Sequence, residues 1–251
     1  MMEFRLSQPS DVTALQALWR DSFQESQDYL DLFFRTAYAP QRCMVLELES
    51  GIAGAAYWLD CSLDGKPLAY LYAVAISENH RNRGLGKHLM DAIHSHLESI
   101  GYAGALLVPG SEDARRFYLR RGYRNSCHQN WTPVEAASPV PIQLVDADAY
   151  ADLRQEYLGS RGVWQSVKDL ALLGKDAVFF TGEGFLGAAL RSAALCPELL
   201  GDVTQAAGIA AALGMAQCTF RTEGEELPYA MVLALGGASL PEEFWFGFGF
   251  E

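Results

Sequence analysis

Apolar residues follow two rhythms along the central part of the chain. From Leu71 to Ile76 they are nearly continuous and include β-branched members, the pattern of a strand buried on at least one face. Beyond it, Leu85, Leu89, Ala92, Ile93 and Leu97 recur at helical spacing, which predicts an amphipathic helix to Ile100 with Gly101 as its stop. Upstream, Phe4 and Leu6 open a short strand. Ser10 caps a helix through Trp19, and a second helix over 26–37 buries Tyr29, Leu30, Phe33 and Phe34. Residues 44–48 and 52–59 read as strands joined by a Gly-containing turn, and Asp64-Gly65-Lys66-Pro67 leads into the central strand. Residues 103–108 form another buried strand. A helix follows from Ser111, a good N-cap with Glu112 and Asp113 in the favourable first turn, to a stop at Gly122.

The pattern then loosens. Residues 131–141 carry three prolines and read as a linker. Past it the chain predicts a helix over 149–158, strands over 177–181 and 185–190, a helix from Pro197 and Glu198 to Leu213, and strands over 217–221 and 229–235. In the tail, Phe244, Phe246, Phe248 and Phe250 alternate, so as a last strand they would share one face with Gly247 and Gly249 opposite. The expected organisation is a domain over 1–130, the linker over 131–141 and a second α+β lobe over 142–251.

Composition narrows the class. Half of the 251 residues are hydrophobic and a fifth charged, which is globular. No apolar run approaches the roughly twenty residues of a membrane span, and the N-terminus lacks a signal-peptide apolar region. Five scattered cysteines form neither an even disulfide set nor a metal-spaced pair, so reduced thiols, a cytoplasmic location and no metal are expected. The net charge of −12 argues against nucleic acid. Its distribution matters more. Residues 1–140 carry a net −3 and residues 141–251 a net −9, yet eight basic residues crowd between Arg81 and Arg124. That suits an anionic cofactor and, more weakly, a cationic amine substrate.

Between the central strand and helix lie two glycines and three cations, in Arg81-Asn82-Arg83-Gly84-Leu85-Gly86-Lys87. A helix N-terminus offers unpaired N–H groups and positive dipole character, and glycine lets a phosphate approach the backbone. A dinucleotide fingerprint fails because Leu89 stands where its third glycine belongs. A P-loop fails because His88 replaces the hydroxyl.

What remains, Arg81-x-x-Gly84-x-Gly86, resembles the acyl-CoA pyrophosphate loop of the GNAT (Gcn5-related N-acetyltransferase) superfamily. The segment with Ala114, Phe117, Tyr118, Gly122 and Tyr123 is similar to that superfamily's second cofactor motif, with Ser111 where asparagine is usual. Ser111-Glu112 also resembles Eis-type acetyltransferases. The resemblance covers residues 1–130 and implies an α/β fold with a mixed sheet, the second lobe being a degenerate GNAT-like repeat or another α+β lobe. It implies direct transfer of an acetyl group from acetyl-CoA, the co-substrate, to an amine of a small molecule or peptide. Backbone groups at Val74, Ala75 and Ile76 would pair with pantetheine, and Arg81 through Lys87 would hold the pyrophosphate, with Ser111 a further contact. Tyr118 would protonate the departing thiolate, as a phenol can when positioned against it.

The base is not legible: Glu47, Asp60, Glu78, His80 and His88 all qualify by position. The alternative function is a non-catalytic acyl-CoA-binding sensor or subunit. The acceptor and the oligomeric state stay open. So does the tail, where Glu251 or the chain end would offer a carboxylate to the acceptor, a position it shares with Eis-type enzymes.

Overall fold

The computed structural model describes residues 2–249. They form a mixed α/β fold in two compact units that interleave along the sequence. Unit 1 takes the chain up to Cys61, then Lys66–Leu107 and Leu233–Leu240. Unit 2 takes Ser62–Gly65, Val108–Val232 and the residues from Pro241 on.

In unit 1 the chain runs β1 (Met2–Leu6), α1 (Val12–Phe23), α2 (Gln27–Thr36), β2 (Cys43–Leu48), β3 (Gly51–Leu63), β4 (Lys66–Ile76), α3 (Leu85–Ser99) and β5 (Gly104–Leu107). The sheet follows the same strand order. It is antiparallel from β1 to β2 and from β2 to β3, and parallel from β4 to β5. The parallel pair needs a crossover, and α3 supplies it. Its Leu89, Met90, Ile93 and Leu97 are all fully buried, each contributing roughly 1.5–3 kcal/mol. Ser26 is the N-cap of α2, its hydroxyl accepting the Tyr29 N–H. The first helix starts and ends later than its apolar pattern suggests, at Val12 and Phe23, after a short 3-10 turn over Pro9–Asp11. Leu233–Leu240 returns along β5, the Leu235 N–H donating to the Ala103 carbonyl at 2.9 Å. Gly104 makes this approach possible. A Cβ there would stand 2.8 Å from both Leu233 O and Leu240 Cδ1.

Unit 2 contains α4 (Glu112–Leu119), β6 (Arg124–Glu135), β7 (Gln143–Val145), α5 (Ala147–Leu158), β8 (Val163–Gln165), α6 (Val167–Leu173), β9 (Val178–Gly182), β10 (Phe185–Leu190), β11 (Leu195–Gly201), α7 (Ala206–Ala212), β12 (Gln217–Glu223) and β13 (Leu227–Ala234), whose last two residues belong to unit 1. Its sheet order is β13-β6-β12-β11-β10-β9-β7. One core lies under α7, where Ile209, Ala210 and Leu213 pack on Phe180, Phe185, Leu199 and Phe220.

Three sequence expectations are corrected here. Residues 131–135 are not linker but the second half of β6, paired with β12 from Gln217↔Glu135 to Glu223↔Gln129. The ladder from β6 to β13 stops at Gln129, so Pro133, which has no N–H, faces no third strand. The helix expected over 197–213 is three elements. Its first part is β11, a 3-10 turn follows over Val203–Gln205, and the α-helix covers only Ala206–Ala212. Pro197 falls where the β10–β11 register shifts, a position that tolerates a missing donor. The tail is not a last strand either. It makes one bridge, Gly162↔Trp245, and buries Trp245 as completely as Phe244, Phe246 and Phe248. Phe250 and Glu251, the rest of the alternation and the proposed carboxylate, lie outside the described residues.

Trp245 is buried because Glu198 holds it. The Glu198 carboxylate is fully enclosed and accepts from Trp245 Nε1 at 2.6 Å, from Arg154 Nε and Nη2 at 2.7 and 3.0 Å, and from the Tyr150 hydroxyl. Burying a carboxylate is tolerable only with its charge paired and its lone pairs filled, and this set does both. All five cysteines are buried free thiols. Burial pushes Cys43 and Cys127 up to about 12, which leaves them protonated and unreactive.

Candidate active site

The site of unit 1 is built where β4 leaves its parallel partner. Pairing runs from Leu68↔Gly104 to Tyr70↔Leu106, and β4 continues to Ile76. Within that extension Ala73 has φ +50, a left-handed conformation costly for a residue with a Cβ. The alternation is interrupted there, and Tyr72, Ala73 and Val74 are all partly exposed. Val74, Ala75 and Ile76, the expected pantetheine contacts, therefore form the end of a strand released from β5. Nothing in the residue types around Ala73 announces this kink. On the other side of β4, Gly54 of β3 lets the strands close, since a Cβ there would lie 2.6 Å from Ile76 Cδ1 and 3.1 Å from Ala75 O.

The chain then turns through Glu78–His80 into Arg81, Asn82, Arg83 and Gly84, the N-cap of α3. The Ser77 hydroxyl meets His80 Nδ1 at 2.8 Å, and Arg81 Nε donates to the Ile76 carbonyl at 3.0 Å. These bonds tie both ends of the turn. Asn82 and Gly84 have φ +61 and +76. Left-handed residues set into such a turn bring successive N–H groups to one side, a concavity that suits an anion. The N–H groups of Lys87 and His88 are engaged by Gly84 O at 3.0 and 3.4 Å. Among the described residues, those of Asn82, Arg83, Gly84, Leu85 and Gly86 have no acceptor.

The cations agree. Arg81, Arg83 and Lys87 are exposed, and among the described residues no carboxylate pairs with any of them. The first turn of α3 contains no acidic residue, the reverse of what helix stability alone favours. A pyrophosphate fits this loop. It would take the free N–H groups, and the cations would neutralise it.

Ser111 and Tyr118 stand in unit 2, at the N-cap and in the last turn of α4. The Ser111 hydroxyl accepts the Ala114 N–H at 3.1 Å, so capping already uses it as an acceptor. Tyr118 packs between the rings of Phe117 and Tyr123, with centroids at 5.2 and 5.4 Å. Among the described residues nothing bonds its hydroxyl. Burial pushes the phenol up to about 12 against a weaker opposite pull from Arg121, so it remains a proton donor throughout the neutral range.

The structure sorts the five possible bases. Glu47 is held by Arg5 Nε at 2.6 Å, and Asp60 by the Tyr102 hydroxyl and Arg42. Both are occupied in structural pairs. His80 is tied to Ser77, which leaves Glu78 and His88 exposed and without an ion pair among the described residues. Sequence reasoning missed the Tyr29–Tyr72 hydroxyl pair, at 2.7 Å beside Trp19 and Phe33. It joins α2 to β4 across 43 residues, a separation no local pattern reports.

Residues 12–123 match the model of the Acetyltransferase (GNAT) family. No curated protein matches the chain. Among solved structures, the fold is similar to a GCN5-related N-acetyltransferase from Kribbella flavida, with TM-score 0.71 and 13% identity over 93% of this chain and 71% of that one. It is similar to another from Anabaena variabilis, with TM-score 0.72 and 13% identity over 92% and 72%. It is also similar to Eis1 from Mycobacterium abscessus, with TM-score 0.66 and 11% identity over 93% and 73%. At such identities the likeness is one of fold. The matched stretch contains the loop at Arg81–Lys87 and ends just after Tyr118. Among the described residues no helix is long and apolar enough to cross a membrane, and no group of side chains has the makings of a metal site.

Proposed function

We propose that the protein is an N-acetyltransferase that passes an acetyl group directly from acetyl-CoA to an amine. The observation that carries this reading is the run of N–H groups from Asn82 to Gly86 that no described residue engages, ringed by Arg81, Arg83 and Lys87, which no described carboxylate pairs. A turn serving only to join a strand to a helix has no use for such an anion site. In this reading the loop binds the pyrophosphate, mostly through backbone. The released end of β4, at Val74 and Ile76, pairs with pantetheine and orients the thioester carbonyl. The amine nitrogen attacks that carbonyl carbon, the C–S bond breaks, and the thiolate takes the proton of Tyr118, the family's matching position. The amine's own proton leaves to water or to Glu78 or His88.

Residues 1–130 supply the catalytic portion and the chain beyond 141 a degenerate second lobe. The acceptor is an amine of a small molecule or peptide, and the acidic second half favours a cationic one. Calorimetry with acetyl-CoA, followed by thiol release over a panel of amines, tests the reading. Saturable binding with amine-dependent release supports it. Binding without release on any amine overturns the enzyme in favour of an acyl-CoA sensor, and absence of binding overturns both.

A further inference from the structure

Unit 2 contains a second parallel strand pair that parts early. β11 and β12 are joined by α7 as β4 and β5 are by α3. Their pairing covers Leu195↔Thr219 and Cys196↔Phe220, while the strands run on to Gly201 and Glu223. At their carboxyl ends, where ligands bind in sheets of this kind, lies a cavity of about 280 Å³. Its apolar wall is formed by Tyr157, Leu158, Leu199, Leu200 and Val203.

Three observations describe what the cleft takes. Thr222 lines it and is only 6% exposed, yet among the described residues nothing bonds its hydroxyl. That hydroxyl is not sealed from water, so it is uncommitted and available to a polar group that enters the cleft. Glu223 at the rim is held through one carboxylate oxygen by Arg161 and keeps the other free. Glu223 also lines an adjoining cavity of about 240 Å³ with Ser126, His128, Glu225 and Glu243. The apolar cleft thus has one carboxylate of its own, Glu223, shared with a cavity that adds Glu225 and Glu243, and Arg161 is the only guanidinium among the lining residues. Phosphate is disfavoured here. At the turn after β11, Asp202 occupies the backbone itself, accepting the Thr204 N–H at 3.0 Å, whereas unit 1 offers free N–H groups and cations.

We propose that this cleft is a binding site for a small amphipathic amine, its apolar body against Leu199, Leu200 and Val203 and its ammonium at Glu223, within reach of the Thr222 hydroxyl. The site is separate from the acyl-transfer chemistry and does not depend on it. Titration of the full chain with 4-phenylbutylamine, read by NMR at the methyl groups of Leu199, Leu200 and Val203, tests it. Those methyls should shift saturably with a Kd on the order of 1 mM, the scale for a ligand of this size. 4-Phenylbutanoate, with the same body and the opposite charge, should not saturate them. Glu223→Gln, an exposed change that leaves the fold intact, should weaken the amine about fivefold or more, and Thr222→Val should weaken it as well. Unshifted methyls, equal binding of amine and carboxylate, or undiminished affinity in both variants would each overturn the proposal. Because the readout lies within the cleft, failure to find acetyltransfer leaves this result intact, and the reverse holds too.

Discussion

Replacing Gly84 by aspartate puts a negative charge at the centre of the proposed phosphate loop. The position has open space, for a Cβ there meets nothing within 4 Å, so no packing is lost. Two costs remain. The residue sits at φ +76, where a side chain is strained, although Asp and Asn bear this best. The carboxylate also faces the pyrophosphate. For two unit charges about 4 Å apart, repulsion runs from about 1 kcal/mol in water to about 4 kcal/mol at the effective dielectric of a protein surface. Because the loop is exposed, the lower half of that range applies, and affinity for acetyl-CoA should fall at least tenfold, about 1.4 kcal/mol. Gly84→Asn has the same shape and strain without the charge, and should bind within about threefold of the parent. Calorimetry at two ionic strengths gives the comparison, since the gap between Asp and Asn should narrow in salt as screening grows. Both variants carry the same strain at φ +76, so the two should melt together, at or somewhat below the parent's temperature. If the aspartate variant is folded and binds acetyl-CoA as tightly as the asparagine variant, the loop does not hold the pyrophosphate.

Four further predictions follow from single contacts. Tyr118→Phe should leave acetyl-CoA affinity nearly unchanged and lower kcat roughly a hundredfold; parallel loss of stability and activity would instead make Tyr118 a packing residue. The same phenol, raised to about 12 by burial against about 10 in the unfolded chain, keeps a proton that the unfolded chain loses between those values. Its share of stability is therefore present below pH 10 and declines towards pH 12, so Tyr118→Phe should flatten the fall of melting temperature over that window. Glu198→Ala should destabilise by about 3–5 kcal/mol in denaturant unfolding, because Arg154 would be left buried without its carboxylate. Gly104→Ala should cost about 1–3 kcal/mol, since its methyl would stand 2.8 Å from the Leu233 carbonyl oxygen; an unchanged midpoint would show that Leu233–Leu240 does not pack there.

The part of this protein legible in its residues is the part whose causes are local. The β4–loop–α3 segment declares itself within about thirty residues, through a β-branched run, glycines at the turn and apolar positions at helical spacing. All of these act on near neighbours. The same holds for the Ser111 cap. Pro197, Glu198, Leu199 and Leu200 show the limit. Proline before glutamate is a good helix start, and only Arg154 and Trp245, 44 and 47 residues away, make Glu198 a fully buried carboxylate in a strand. Trp245 in turn is drawn inward by that carboxylate, which is why alternation along the tail does not become a strand. The kink at Ala73 likewise belongs to the assembled sheet. The proposed anion site was thus legible in the chain, because a left-handed turn and positive charge at a helix start are consequences of a few adjacent residues. The interleaving of the two units, the buried Glu198 cluster and the cleft at Thr222 depend on strands meeting across long separations, and tertiary packing alone decided them.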